Sequence, residues 1–540
     1  MSCGVGLVTD DPDIYPVYPE AGWAFVDRNC DGVDGDAAHA LYVWEGSTLS
    51  QGTREHPYKT ISEAVAAFDA SKHKHILVAT GQYTEMVQLK EGVQIYGGYS
   101  SNFSKRDVVG YPTFIIGPEP TGANAPKGVI SASGIKTKKT VVAGFAIYGY
   151  DVATQAAAGA AGKSTYAVYL RDCSDQVVIA NNLIFGGRGG DGGHGAAGAA
   201  GAPGGAGGNG LDTKECNTAS CAGETQPGGA AGTNLACPGT AGNPGAGANG
   251  SLDPQQYSSP AGINGQGGTN ARYTTEFSPQ FSNLCKYDCV IAGDLNGQDA
   301  QAGANGTTGT AGKGCTAPFG AITSTGEWKG GTATAGGAGT PGHGGGGGGA
   351  GGCVPNTNPP SCTVGSRRGD LGGTGGGGGA GGCGGGGGKA GGSGGGSFGV
   401  FVSFSASPGT AVPKVSGNII YVGEGGAGGD GAFGGHGGPG GAGGFGGFTK
   451  TPAWCAGPGG KGGRGGDGGA GGGAGGGCGG VAFGVAGNFI STAQYDTLNA
   501  FVQPAGSSGG KAGSGGPSPA GGSSNGTPGV DGAAGIIHVY

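Results

Sequence analysis

Residues 27–36 read Asp-Arg-Asn-Cys-Asp-Gly-Val-Asp-Gly-Asp. Side-chain oxygens recur at alternate positions, Asp27, Asn29 and Asp31, and Gly32 then lets the chain turn. A hard, oxygen-seeking cation such as Ca2+ selects that pattern. Asp34 or Asp36 would close the shell, so these five residues are the candidate metal ligands, for a structural ion rather than a catalytic one. The same residue types also build plain turns. Charged groups are otherwise sparse where chemistry would need them: Lys90 and Glu91; Lys136, Lys138 and Lys139; Arg171 and Asp172. Arg171 and Asp172 make the best pair, and a surface ion pair or turn accounts for them. No nucleophile elbow or metal triad is spaced for catalysis, so no catalytic residue is assigned.

The elements that must carry these residues are dominated by glycine, which supplies 141 of 540 residues. From Gly186 to Gly210 glycine recurs at every third position, and the rhythm returns at 425–447, 457–480, 369–394 and 336–352. A period of three matches neither an α-helix nor a strand. It matches the left-handed polyproline-II type helix, which makes no internal hydrogen bonds. Its N–H and C=O groups then need neighbouring chains, and a Cβ on an inward edge would block the approach. The pattern therefore predicts a bundle of polyglycine II helices. Collagen would want about 15–20% Pro or more, whereas Pro is 29 of 540 residues. A disordered linker would not need so strict a phase. Segments 344–352 and 375–388, nearly bare on all edges, should be central, and 195–203 suits a corner. The row Ala427, Asp430, Phe433, His436, Pro439, Ala442 and Phe445 should face outward. Asp430 is expected there as a bystander.

Net charge of −7 gives no basic footprint for nucleic acid, and no apolar run approaches the length of a membrane span. Fourteen cysteines lie mainly in short segments between glycine runs, without the spacing of a zinc site. Disulfides that staple loops are expected, and with them an oxidising, extracellular or bacterial cell-surface location. The start Met-Ser-Cys-Gly carries no visible signal sequence. It reads as a mature exported start, with Cys3 either lipidated, which would tie the protein to a membrane, or a disulfide partner.

Residues 41–70 place Gly52-Thr53 and Pro57-Tyr58 ahead of an amphipathic run with Ile61, Ala64, Val65 and Phe68 at helical spacing. Strand-like pieces follow at 75–80, 86–90, 93–99, 112–117, 128–130, 140–147, 164–170 and 176–185, and return at 398–404, 418–422, 481–490 and 536–540. The residues Gly52, Thr53, Pro57, Tyr58, Thr60, Ile61 and Ala64, then Val78, Gly81, Tyr83 and Glu85, resemble the opening of the pectin-lyase-like superfamily. That resemblance implies a right-handed parallel β-helix whose first rung is capped by a helix at 60–70. Asn181-Asn182 would form a turn, as part of an asparagine stack. Three regions result: 1–40 with the metal loop, 41–185 as the capped β-helix, and 186–540 as the glycine bundle interleaved with further rungs. The loop at 27–36 also resembles the calcium loops of EF-hand and thrombospondin type and a metal-binding repeat of proteobacterial surface proteins. Ala38 stands where the EF-hand type would close with Glu.

The glycine repeat alone resembles that of phage tail-tip adhesins and of the snow-flea antifreeze protein. The reading that fits best is a non-enzymatic structural or adhesive scaffold that meets a glycan or cell-surface receptor, with homo-assembly as a further partner. Loop tips at 211–237, 269–292, 313–332 and 353–368 would bind, and Tyr257, Tyr273, Phe277, Tyr287 and Trp328 could stack on sugars or pack over the bundle ends. Three alternatives stand beside it. Ice binding would use the rows Ala196, Ala199 and Ala202 or Thr307, Thr308 and Thr310. A fibre subunit would pair exposed glycine edges. A polysaccharide lyase or hydrolase would follow from the superfamily resemblance.

Overall fold

The computed structural model describes residues 10–15, 25–122, 125–216, 225–238, 263–277, 285–354, 369–451, 453, 455–505 and 508–540. Three six-stranded sheets dominate, and all their pairings are parallel. The first holds Ala40–Val43, His75–Ala79, Gln94–Tyr99, Thr140–Ala143, Val177–Ala180 and Lys414–Ser416. The second holds Val87–Gln88, Ile130–Ser133, Thr165–Arg171, Ser397–Ser403, Ala482–Gly487 and Ala534–Val539. The third holds Gly81–Thr84, Thr113–Ile116, Ala146–Tyr148, Leu183–Phe185, Ile419–Tyr421 and Ala500–Val502. The chain visits the sheets in turn, which is the winding of a parallel β-solenoid.

Alternation along each strand decides the core. Ile130, Val168, Val400 and Val485 stand in register on neighbouring strands of the second sheet and are fully buried. Ile115, Ile147, Ile184 and Ile420 do the same in the third. Each rung thus repeats the aliphatic residue of the rung below, so one apolar column fills the solenoid from end to end. Turns repeat as well. Asn182 donates to Asn418 Oδ1 at 3.0 Å, and Asn418 donates to Asn499 Oδ1 at 2.9 Å, so the asparagine stack forms through Asn182, while Asn181 takes the left-handed turn position with φ 52°.

The first rung is closed by the helix Ile61–Ala67, shorter than the segment 60–70. Thr60 caps it through the N–H of Glu63, and the Glu63 carboxylate reaches back to Thr60 N. Ile61, Ala64 and Val65 turn inward onto the apolar column. Glu85 accepts from the N–H groups of Ile61 and Ser62, at 2.8 Å each.

Glycine segments leave this solenoid from one corner. After Phe185 the chain departs and returns at Ser397; after Tyr421 it departs and returns at Ala482; after Val502 it departs and returns at Ala534. All three excursions run between the third sheet and the second, so they emerge side by side. They carry few strands and bond to one another every third residue. Gly192, Gly195, Gly198, Gly201, Gly204, Gly207 and Gly210 donate in turn to the carbonyls of Ala427, Asp430, Phe433, His436, Pro439, Ala442 and Phe445, at 2.7–2.9 Å.

Residues 371–383 and 344–354 are buried throughout. Around the first of these, Gly376, Gly379 and Gly382 donate to Gly460, Gly463 and Gly466, while Gly377, Ala380 and Cys383 donate to Gly208, Gly205 and Ala202. A Cβ placed on Gly379 or Gly382 would sit 2.0 or 1.9 Å from the carbonyl oxygen of Gly441 or Gly438. No contact that short is tolerated, and the obstacle is backbone, which cannot swing aside.

Side chains close the outer edges. Asp191, Asn209 and Asp212 accept from the N–H groups of Ala427, Phe445 and Phe448, and His194 Nδ1 from that of Asp430. Asp430 is no bystander: its Oδ1 accepts from Ser514 N at 2.7 Å and from the Ser514 hydroxyl. Disulfides Cys237–Cys383, Cys289–Cys455 and Cys315–Cys478 each join distant segments, and Cys30 is also disulfide-bonded. Cys173 is a buried thiol.

Replacing Gly382 by Ala should lower the thermal midpoint sharply, by the equivalent of about 3 kcal/mol, the upper range for overpacking a close-packed interior. Ala200→Ser, on an exposed row, should leave it unchanged. Differential scanning calorimetry of the two variants checks this, and equal midpoints would refute the packing described.

Candidate functional site

The five residues of the acidic loop do not stay together. Asp27, Asn29 and Asp31 remain on the loop, where they accept from its own backbone: Gly32 N to Asp27 Oδ2 at 2.9 Å, Asp31 N to Asn29 Oδ1 at 3.2 Å and Ala37 N to Asp31 Oδ2 at 2.7 Å. Asp27 Oδ1 is buried without a partner among the described residues. Asp34 instead turns under the loop to Arg106, with Nη1 to Oδ2 at 2.8 Å. Asp36 meets Lys74 at 2.8 Å and His39 at 2.9 Å. A cation at this loop would therefore be held by Asp27, Asn29 and Asp31 and not by all five. Among the described residues no three His, Cys, Asp or Glu side chains converge as metal ligands.

What the loop builds is a clasp on the outer face of the first sheet. Arg106 is buried, donates to Gly97 O and Asp13 O, and lies over the rings of Phe25, Tyr99 and Tyr96 at 4.1, 5.2 and 5.4 Å. Arg28 pairs with Asp13 and Asp10. Burial pushes the Asp34 carboxyl up to about 6, against the opposing pull of Arg106. Burial also raises Asp36, but the hydrogen bonds from Lys74 and His39 outweigh it and hold that carboxyl below its usual range. His75, fully buried on the strand below, has its Nε2 3.3 Å from the Asp10 carbonyl and 3.8 Å from the Asp11 carboxylate. Loss of water pushes it down to about 4, so it is neutral near pH 7. Nothing local in the sequence marks Arg106 or His75. They lie about 40 to 70 residues from the loop and meet it only because successive rungs stack.

A second site lies on the second sheet, where the hairpin of Ala321–Ile322 and Trp328–Lys329 folds over it. Trp328 packs on Tyr166 and Phe398, and its indole N–H donates to Phe319 O at 2.8 Å. It is buried, so it covers apolar surface rather than offering a stacking platform. Beside it opens a cleft of about 360 Å3 lined by Lys127, Tyr150, Lys163, Tyr166, Glu327 and Trp328. Lys127 pairs with Glu327 at 2.6 Å and Lys163 with Glu119 at 2.9 Å. A groove of similar size continues along the sheet past Gln88, Ser131, Ser133, Tyr169 and Arg171. Arg171 stands 3.5 Å from Asp172, which accepts from Ser405 N and its hydroxyl; the pair joins two rungs.

Of the other aromatic candidates, Tyr257 lies outside the described residues. Tyr273, Phe277 and Tyr287 fall on the antiparallel pair Arg272–Phe277 and Cys285–Val290. Tips 217–224 and 355–368, with Cys3, also lie outside the described residues. Thr307, proposed for an ice-facing row, shares its hydroxyl with Thr340 at 3.0 Å.

Fold and sites together define a mostly β protein of the parallel solenoid class. Residues 44–226 match a family described as a protein of unknown function (DUF1565), one associated with β-helix-like repeat proteins. The match covers about a third of the chain, from the capped first rung into the first glycine excursion. Comparisons with curated proteins and with solved structures return no match. No helix among the described residues is long and apolar enough to cross a membrane.

The neutral, buried His75 sets an acid limit on the clasp. Its folded value, about 4, lies below the unfolded 6.5, so its share of stability is complete above pH 6.5 and is lost as pH falls from 6.5 towards 4. That share is roughly 3 kcal/mol. Denaturant melts between pH 7 and 4 should show His75→Phe losing less stability on acidification than the parent chain; identical pH slopes would refute the assignment.

Proposed function

We propose that this protein is a non-enzymatic, extracellular or cell-surface scaffold of pectin-lyase-like β-helix type whose glycine excursions form a polyglycine II bundle. The observation that carries this reading is the period-three ladder from Gly192 to Gly210, with backbone oxygens about 2 Å from where a Cβ would stand on glycine after glycine. Lateral bonding between chains that have no internal hydrogen bonds supports polyglycine II over collagen or a linker. So large a share of the chain locked into a cross-bonded lattice suits a protein that must hold a shape. Cross-segment disulfides support an oxidising location.

As an adhesive scaffold it would meet glycans in the groove beside the Trp328 hairpin. Lys127 and Lys163, each about half exposed, suit an acidic sugar, and the exposed Ser133 hydroxyl and Gln88 amide on the rim suit neutral ones. Calcium, if bound, would sit on Asp27, Asn29 and Asp31 and steady the clasp. The unpartnered Asp27 Oδ1 supports that placement.

Binding of the oxidised full chain to an array of glycans and to whole cells, with and without a chelator, tests this reading. Saturable binding is expected, weakened at least tenfold in K127E/K163E. Absence of any binding would remove the adhesive role. Chelation should lower the melting midpoint of the parent chain but not that of Asp31→Ala, and equal midpoints with and without chelator would exclude a bound structural calcium.

A further inference from the structure

Among the described residues an asparagine precedes a glycine at Asn209, Asn264, Asn296, Asn305 and Asn525. In an Asn-Gly pair the following N–H has no side chain beside it, so it can reach the asparagine carboxamide and close a cyclic imide. Four of these carboxamides are engaged elsewhere. Through Oδ1, Asn209, Asn264, Asn305 and Asn525 accept the N–H groups of Phe445, Gly347, Asp467 and Ser518, at 2.8–3.0 Å. Each is aimed at a neighbour and away from its own main chain. Asn296 differs. It belongs to a row that caps a neighbouring segment at a constant offset of 162, where Asp299 accepts from Lys461 N and Asn305 from Asp467 N. The same offset brings Asn296 to Pro458, which has no N–H to give. The register holds there, because Gly297 donates to Pro458 O at 2.9 Å as the first donor of a ladder that continues through Ala300, Gly303 and Gly306. The Asn296 side chain therefore has no hydrogen-bond partner among the described residues. It is exposed, on the rim of a groove lined also by Asp294, Gln298 and Asp299.

We propose that Asn296 is a site of spontaneous modification in the folded chain, because the proline opposite it leaves its carboxamide open to the Gly297 nitrogen. In that step a bond forms between the Gly297 nitrogen and Asn296 Cγ, and the Cγ–Nδ2 bond breaks. Nδ2 takes up the Gly297 proton and leaves as ammonia. Water then opens the imide at one of its two carbonyls. Opening at Cγ leaves an ordinary aspartate, and opening at the main-chain carbonyl leaves an isoaspartate, whose backbone is one atom longer. Both products add a carboxylate to the groove that already holds Asp294 and Asp299. Isoaspartate also moves the Gly297 N–H away from Pro458 O and loosens the first rung of that ladder. The other pairs are protected, since attack there must first break the bond that Oδ1 accepts. At such capped posts an ordinary aspartate already serves, as Asp191 and Asp212 show.

This modification depends on neither the glycan nor the calcium reading, and its test uses no ligand. The oxidised full chain is held folded in mildly alkaline buffer and then digested at acid pH. Mass spectrometry follows each Asn-Gly peptide, and isoaspartyl methyltransferase scores the isoaspartate. Asn296 should react about tenfold faster than Asn209, Asn264, Asn305 or Asn525, the ratio that one hydrogen bond near the top of its net range supplies. After reduction and denaturation the rates should converge. Pro458→Ala restores the missing N–H and should slow Asn296 by about the same factor, leaving the capped pairs unchanged. Comparable rates at all these pairs in the folded parent chain, or a rate at Asn296 indifferent to Pro458→Ala, would each overturn the proposal.

Discussion

Everything in this chain beyond the solenoid rests on one requirement, that a buried backbone N–H or C=O have a partner. A strand meets it across a sheet and a helix meets it along its own axis. The glycine segments do neither, so each can exist only beside others at backbone-contact distance. Glycine follows from that distance. Where Gly204 faces Ala380 O, a Cβ would lie 2.0 Å from the oxygen, and every such position is held by the residue type that has none. Conformational entropy opposes this arrangement more strongly for glycine than for any other residue. The offset comes from collective bonding, from the disulfides that shorten the unfolded chain's reach, and from the solenoid that holds the ends of each excursion together.

Much of this was legible in the sequence. Period three gave the segments, the bare runs 344–352 and 375–388 stood out as the ones to bury, the second of which is buried throughout only as far as Cys383, and the strand-like pieces from 75 to 185 gave the strands. The signals were legible because they are local repeats. The fate of Asp34 and Asp36 was not, since a motif reading sees a loop's own residues and not Arg106 or Lys74, which reach it from other rungs. Trp328 shows the same limit: an aromatic residue in a polar loop reads equally as a sugar platform or as packing over the bundle ends until the Tyr166 and Phe398 surface beneath it is known. Asp430 was misjudged for a different reason. Judged singly, Asp430 looks like surface charge, and only the neighbouring segment shows that it closes the backbone of Ser514.

Those capping side chains also answer a question that a glycine lattice raises by itself. Segments with a repeat of three residues and no side chains between them could slip by three and regain every hydrogen bond, so the ladder alone specifies no register, much as a featureless strand is prone to slippage. Four caps remove that freedom between the first and second excursions. Asp191, His194, Asn209 and Asp212 each reach the residue 236 positions later. A shift of three would bring Asp191 to Glu424 or Asp430 and leave charge against charge. Asp299 and Asn305 repeat the device at an offset of 162, onto Lys461 and Asp467.

The near ends are fixed independently. Leu183–Phe185 pairs with Ile419–Tyr421 residue for residue, and Ser397–Ser403 with Ala482–Gly487. Burial of Ile184 on Ile420 and Val400 on Val485 forbids a one-residue slip there, because it would turn both side chains to solvent. Register set by side-chain packing in the solenoid is thus handed at one corner to segments that lack the means to set it. The polar caps and disulfides then check it along their length. A solenoid and a glycine lattice in one chain are therefore not two domains side by side: the first supplies the positional information that the composition of the second has given up.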